Sequence, residues 1–108
     1  MNCWIGRPMG VITAKKVEID GEEIRLSSRF RKFYIRKGDI KEFRIKRIPS
    51  LFDEIGIEFS GEKTFLVSER ARGFFDLTEF LNVETVFGAF WYRDAEDGRE
   101  LRHKVLMV

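Results

Sequence analysis

The chain has 108 residues, 44% of them apolar and 35% charged, with a net charge of +2 and a single cysteine. That length suits one domain with one core, and the lone Cys3 excludes an internal disulfide framework and supports neither a zinc site nor a redox pair. No run approaches the roughly 18 to 20 apolar residues of a membrane helix, and the opening MNCWIGRPMG lacks the pattern of a secretory leader, so a cytoplasmic protein is expected.

Residues 1–10 set Trp4, Ile5 and Met9 between Gly6, Pro8 and Gly10 and read as a lead-in across the domain, with Trp4 over an open end of the core. Val11–Ile19 and Glu22–Ser28 then flank Asp20-Gly21, a strong short hairpin signal because a tight turn needs positive φ there. A two-residue loop would set Val17 opposite Ile24 on one face and Lys16 opposite Arg25 on the other.

Arg29–Arg36 and Ile40–Ile48 flank Lys37-Gly38-Asp39 and read as a second hairpin. Phe33 and Ile35 would face the core beside Phe43 and Ile45, while Lys32, Tyr34 and Arg36 lie beside Glu42, Arg44 and Lys46 on the opposite face. Ile40 breaks the alternation and marks a bulge. After Pro49-Ser50, the loop Leu51-Phe52-Asp53 drops two apolar side chains onto the core rim. A third hairpin follows, Glu54–Phe59 and Lys63–Ser68 around Ser60-Gly61-Glu62, with Ile57 opposite Phe65 and Ile55 opposite Val67.

The spacing of Phe74, Leu77 and Leu81, widened by Phe80, predicts an amphipathic helix within residues 69–81. It starts either at a Ser68 N-cap or a turn later, after Gly73, and ends at Asn82 with Asp76 and Glu79 on the wet side. Val83–Arg93 and Arg99–Val108 flank Asp97-Gly98 and read as a C-terminal hairpin. Its first strand is apolar on both faces, so Phe87, Phe90, Trp91 and Tyr92 belong either to a covered central strand or to a homodimer interface. The whole is a mostly β, β-rich α+β fold: an antiparallel, partly open barrel or sandwich of roughly six to eight strands with one helix near its end.

Few residues suggest chemistry. His103 sits in an alternating strand and reads as half-buried, Cys3 lies far from it in sequence, and Asp94, Glu96 and Asp97 lack calcium-loop spacing. No phosphate-loop or dinucleotide glycine pattern occurs, so the chain is expected to be no enzyme, with no catalytic residue, metal or cofactor. The one weighted signal is charge. Residues 25–47 hold ten Lys or Arg against two acids, a balance of +8 that leaves −6 for the rest of the chain. Lys32, Tyr34, Arg36, Arg44 and Lys46 form the candidate basic face. It is either an ordinary solvated face, a docking surface for an acidic protein or peptide, or a site for nucleic acid or an anionic membrane surface.

EIRLSSRFRKFYIRKGDIKEFRIKR, EIGIEFSGEKTFLV and GFFDLTEFL together resemble the pleckstrin-homology-like domains of small uncharacterised proteins. Asp39-Ile40, Phe43, Ile45, Gly73, Phe74 and Leu77 carry the likeness, which runs from about Val11 to Leu81. The resemblance implies one end of the barrel blocked by the helix, and recognition rather than catalysis. Some relatives hold phosphoinositides with basic residues of the first hairpin, where Lys16, Arg29 and Arg31 are the nearest equivalents. The expected function is therefore a non-enzymatic binding or scaffolding domain for a protein or peptide, with polyanion binding as the alternative.

Overall fold

Alternating apolar residues and charged turns build two three-stranded meanders, which a computed structural model describes over residues 11–48 and 54–105. The first comprises β1 (Val11–Asp20), β2 (Glu23–Ser27) and β3 (Lys32–Arg36). The second comprises β4 (Glu42–Ile48), β5 (Glu54–Ser60) and β6 (Thr64–Arg72). A short β7 (Leu101–Lys104) returns to pair with β4, giving one seven-stranded sheet in the order β3-β2-β1-β6-β5-β4-β7. All pairings are antiparallel except β1 with β6, which run parallel and join the two meanders. The sheet is thus mixed and open, where an antiparallel one was expected.

Both local hairpins form, each with its register two residues from the expected one. Asp20 pairs with Glu23 and Val17 with Leu26, so the turn is Gly21-Glu22, with Gly21 at φ 63° in the first central position. Phe59 pairs with Phe65 and Ile57 with Val67, around the three-residue loop Gly61-Glu62-Lys63. A slip of two residues keeps every side chain on its expected face, which is why alternation alone could not detect it.

The second expected hairpin does not form. Lys37–Asp39 make a single 3₁₀ turn, after which β4 pairs with β5 and β7 while β3 pairs with β2 alone. Ile40 leaves this turn buried, at the start of the crossing and outside any bulge. So short a link between strands five positions apart in the sheet order requires the sheet to roll. The ring of Phe33 on β3 accordingly meets Phe65 on β6 edge-on at 5.3 Å, although β2 and β1 lie between them in the sheet.

The concave face carries the core, with Val17, Ile24, Leu26, Phe43, Ile45, Ile57, Phe59, Phe65 and Val67 all buried. Three short helices cover it: α1 (Phe74–Phe80), α2 (Val83–Phe87) and α3 (Trp91–Glu96). β6 runs through Ser68 to Arg72, so α1 starts after Gly73, whose φ of 90° and close approach to the Val17 carbonyl admit no side chain. Phe74, Leu77 and Leu81 are buried as the helical stripe requires.

The expected C-terminal strand at 83–93 is helical. Val83, Val86 and Phe87, then Trp91, Tyr92 and Ala95, pack onto the core in turns separated by Gly88 at φ 98°. Asp97-Gly98 is no hairpin tip. The Arg99 N–H donates to the Asp94 carbonyl and the Gly98 N–H to the Ala95 carbonyl, both at 3.0 Å, a Schellman stop with Gly98 at φ 93°. Trp4, Cys3, Leu51 and Phe52, with the roles expected of them, lie outside the described residues.

Candidate functional site

Charge decides where this sheet stays unpaired. β3 is five residues long and displays Lys32, Tyr34 and Arg36 on its outer face, between Arg31 and Lys37, a composition that suits an edge. On its inner face Phe33 and Ile35 turn toward the core. The Lys37 N–H donates to the Glu22 carbonyl and the Ser28 N–H to the Arg31 carbonyl, each at 2.8 Å. Alternation of the antiparallel ladder from those two pairs directs the backbone groups of Phe33 and Ile35 at β2. The N–H and C=O groups of Lys32, Tyr34 and Arg36 therefore point out of the sheet, and no described strand pairs with them.

Beside this edge lies a cleft of about 290 Å³. One wall is Phe33, Tyr34 and Ile35, the floor is Ile40, Phe59 and Phe65, and the far wall is Asp39 with Gly61, Glu62 and Lys63 of the β5–β6 turn. Phe59 and Phe65 stack with centroids 5.6 Å apart, and the Phe33 ring closes against Phe65. Two cations rest near the faces of that ring, the Arg31 guanidinium at 5.2 Å and the Lys63 ammonium at 5.3 Å. Tyr34 is 62% exposed at the mouth. The cleft stands at the lower end of the roughly 300 to 1,000 Å³ of small-molecule sites, room for one or two side chains of a larger partner.

The candidate basic face is divided. Its five members do share the outer face, but β2, β1, β6 and β5 separate β3 from β4. Arg44 and Lys46 are engaged locally: both sit on the Glu58 carboxylate, which is only 7% exposed, with Lys46 at 3.4 Å, and Arg44 also reaches Glu100 at 3.1 Å. Burial works against the Arg44 charge, but the hydrogen bond and attraction of Glu58 prevail and its pKa is raised. Glu42 and Arg102, which are 3.5 Å apart, join Arg44 and Glu58 around a shallow polar depression of about 300 Å³, with Lys46 and Glu100 at its side, paired to Glu58 and Arg44. It is an internally balanced ion cluster.

The weaker candidates scatter as well. Lys16 pairs with Glu18 at 3.4 Å, Arg29 lies over the exposed Phe30 ring at 5.2 Å, and Arg31 belongs to the cleft. Of the aromatic run, Phe87 packs edge-on against Phe43 at 5.7 Å, and Phe90 is 68% exposed. Trp91 and Tyr92 are half-buried against the core. The Tyr92 hydroxyl donates to Glu69 Oε2 at 2.9 Å, which also accepts from the Ile55 N–H at 3.2 Å. Burial and that carboxylate push the Tyr92 pKa up to about 12. The run is therefore neither a central strand nor a single exposed patch.

His103 lies half-buried on β7 between the rings of Phe43, at 5.3 Å, and Phe87, at 6.4 Å. Among the described residues, no three His, Cys, Asp or Glu side chains are grouped to hold a metal ion, and no helix is long and apolar enough to cross a membrane. Phe59, Phe65, Lys63 and Asp39 line a cleft that sequence reasoning did not identify, because their convergence depends on the roll of the sheet. No protein-family model, curated protein or solved structure matches this chain.

Proposed function

We propose that the chain is a non-enzymatic recognition domain that captures an extended segment of a partner protein along the free edge of β3. The observation that carries this reading is the row of outward N–H and C=O groups at Lys32, Tyr34 and Arg36 beside an aromatic-floored cleft. An added strand gains main-chain hydrogen bonds along such an edge, and alternate side chains supply selectivity where they meet a pocket. Here one or two apolar side chains of the partner would enter between Phe33, Phe59 and Phe65. The resemblance to pleckstrin-homology-like domains points the same way, toward recognition, and rests on the sequence pattern around Asp39-Ile40 and Gly73-Phe74.

Selection of peptides from a displayed random library, followed by amide chemical-shift mapping of the winners, tests the proposal. Shifts should concentrate at residues 32–36 and at Phe59, Phe65 and Lys63. Tyr34→Pro should abolish them while the protein stays folded, since that N–H makes no bond to β2. Shifts confined to other surfaces would overturn the reading. So would retention on heparin or anionic vesicles at low salt that Tyr34→Pro leaves intact, with no peptide selected, an outcome that favours polyanion binding.

A further inference from the structure

Resting on that reading, we infer that the segment β3 accepts is acidic on one face and apolar on the other: a strand alternating Glu or Asp with aliphatic residues. A second copy of this chain and a uniformly charged polymer both fit the edge poorly.

The register supplies the pattern. A strand added to β3 places successive side chains alternately on the outer and inner faces of the sheet. Positions opposite Lys32 and Arg36 would stand on the outer face, directly across from two cations, with the position opposite Tyr34 between them. Neither cation has a described ion-pair partner, although Arg36 lies across from Glu23 on β2, and Glu23 itself is held by Arg25 at 3.2 Å. Directly opposed unlike charges stabilise a strand pair and like charges destabilise it. Positions opposite Phe33 and Ile35 would stand on the inner face, above Ile40, Phe59 and Phe65. The rim of the cleft is balanced, with Asp39 and Glu62 against Lys63 and Arg31, and its floor is wholly apolar, so an inward aliphatic side chain fills it where a carboxylate would be desolvated over Ile40, Phe59 and Phe65. Acid outward and aliphatic inward is the arrangement that satisfies both faces.

The same residues disfavour self-pairing. Two β3 strands set antiparallel about Tyr34 would place Lys32 opposite Arg36 twice, with like charges in contact. β7 offers no better partner, since its outer face carries Arg102 and Lys104. A polyanion has carboxylates or phosphates but no alternating apolar positions to fill the cleft.

Fluorescence anisotropy with four labelled peptides of equal length tests the inference: alternating Glu and Val, alternating Thr and Val, alternating Lys and Val, and a block peptide with all Glu followed by all Val. The Glu–Val peptide should bind about tenfold or more tightly than the Lys–Val peptide, weakening with salt, because two opposed charge pairs change sign between them. It should also exceed the block peptide. Lys32→Glu combined with Arg36→Glu should reverse the order of the two charged peptides, and reversal requires a folded protein, so misfolding cannot imitate it. Equal binding of the three alternating peptides, with amide shifts still at residues 32–36, would overturn the acid preference and leave strand capture standing. Equal binding of the block peptide would show simple charge attraction and overturn the alternation. Absence of β3 shifts with any alternating peptide would overturn strand capture and the inference together.

Discussion

The Arg44–Glu58 pair is where the structure makes its sharpest energetic statement. Glu58 lies across from Arg44 on the outer face of the sheet, 7% exposed, and its compensation comes from Arg44 and from Lys46 at 3.4 Å. Arg44→Met would remove the nearer cation and leave a nearly buried carboxylate with one lysine. Stripping one partner from a buried pair costs about 3 to 5 kcal/mol, and the remaining lysine with the partial exposure of Arg44 brings the expectation to about 2 to 3 kcal/mol. Glu58→Leu should be milder, about 1 kcal/mol, because Arg44 keeps Glu100 at 3.1 Å. The double variant puts two apolar side chains on a strip that already holds Leu66 beside Glu58, and should return to within about 1 kcal/mol of the parent. Urea unfolding of all four proteins gives the cycle, with an expected coupling of about 2 kcal/mol. Additivity within about 0.5 kcal/mol would refute the reasoning. Arg44 would then be a solvated cation, free to serve a ligand, and the division of the basic face described above would lose its energetic basis.

Three further outcomes are expected. The Tyr92 pKa stands near 12 in the fold against about 10 in an unfolded chain, so the native state keeps a proton that the unfolded state loses. Stability should be intact below about pH 10 and fall by about 2 to 3 kcal/mol as pH rises through 12; Glu69→Gln should lower the phenol titration followed at 295 nm. Gly73→Ala forces a side chain into φ 90° and against the Val17 carbonyl, and should cost about 3 kcal/mol or more, seen as a melting drop of roughly 10 °C or greater. A loss below about 1 kcal/mol would mean that the β6–α1 junction yields easily. Ile57→Ala, at a fully buried position in the middle of β5, should cost about 2 to 5 kcal/mol by chemical denaturation.

How much of this was legible in the sequence follows from which residues speak to their neighbours and which to distant strands. Val17 with Ile24, Ile57 with Phe65, and Phe74 with Leu77 declare their faces through local periodicity, and each lies on the face assigned to it. Pairing partners are another matter. Lys37-Gly38-Asp39 has the composition of a hairpin loop, and nothing within those residues says that β4 will pair with β5 on one side and β7 on the other. The run from Val83 to Tyr92 has the β-branched and aromatic content of a strand, but its apolar residues at 83, 86, 87 and 91 also keep a helical period. Gly88 divides it into turns short enough for packing on the concave sheet to override propensity. The cleft depends on the same unknown. Phe33 and Phe65 meet only because the sheet rolls, so the site was visible as composition, in Lys32, Tyr34 and Arg36, and invisible as a place.

The parallel seam between β1 and β6 bears on how the chain reaches this structure. Each meander closes through short loops and can assemble locally, whereas Val11 finds Thr64 only after roughly fifty intervening residues have been drawn in. If the two meanders form first, the seam zips last, and the folding rate should respond to Ile12, Thr13 and Ala14 more than to any hairpin turn. The link between the halves is a single 3₁₀ turn at Lys37–Asp39, and a side chain added at Gly38 within it would meet nothing. Severed at that glycine, the two fragments retain every strand of the sheet. Mixed in solution, they should recombine into the native seam, a split protein obtained with one cut.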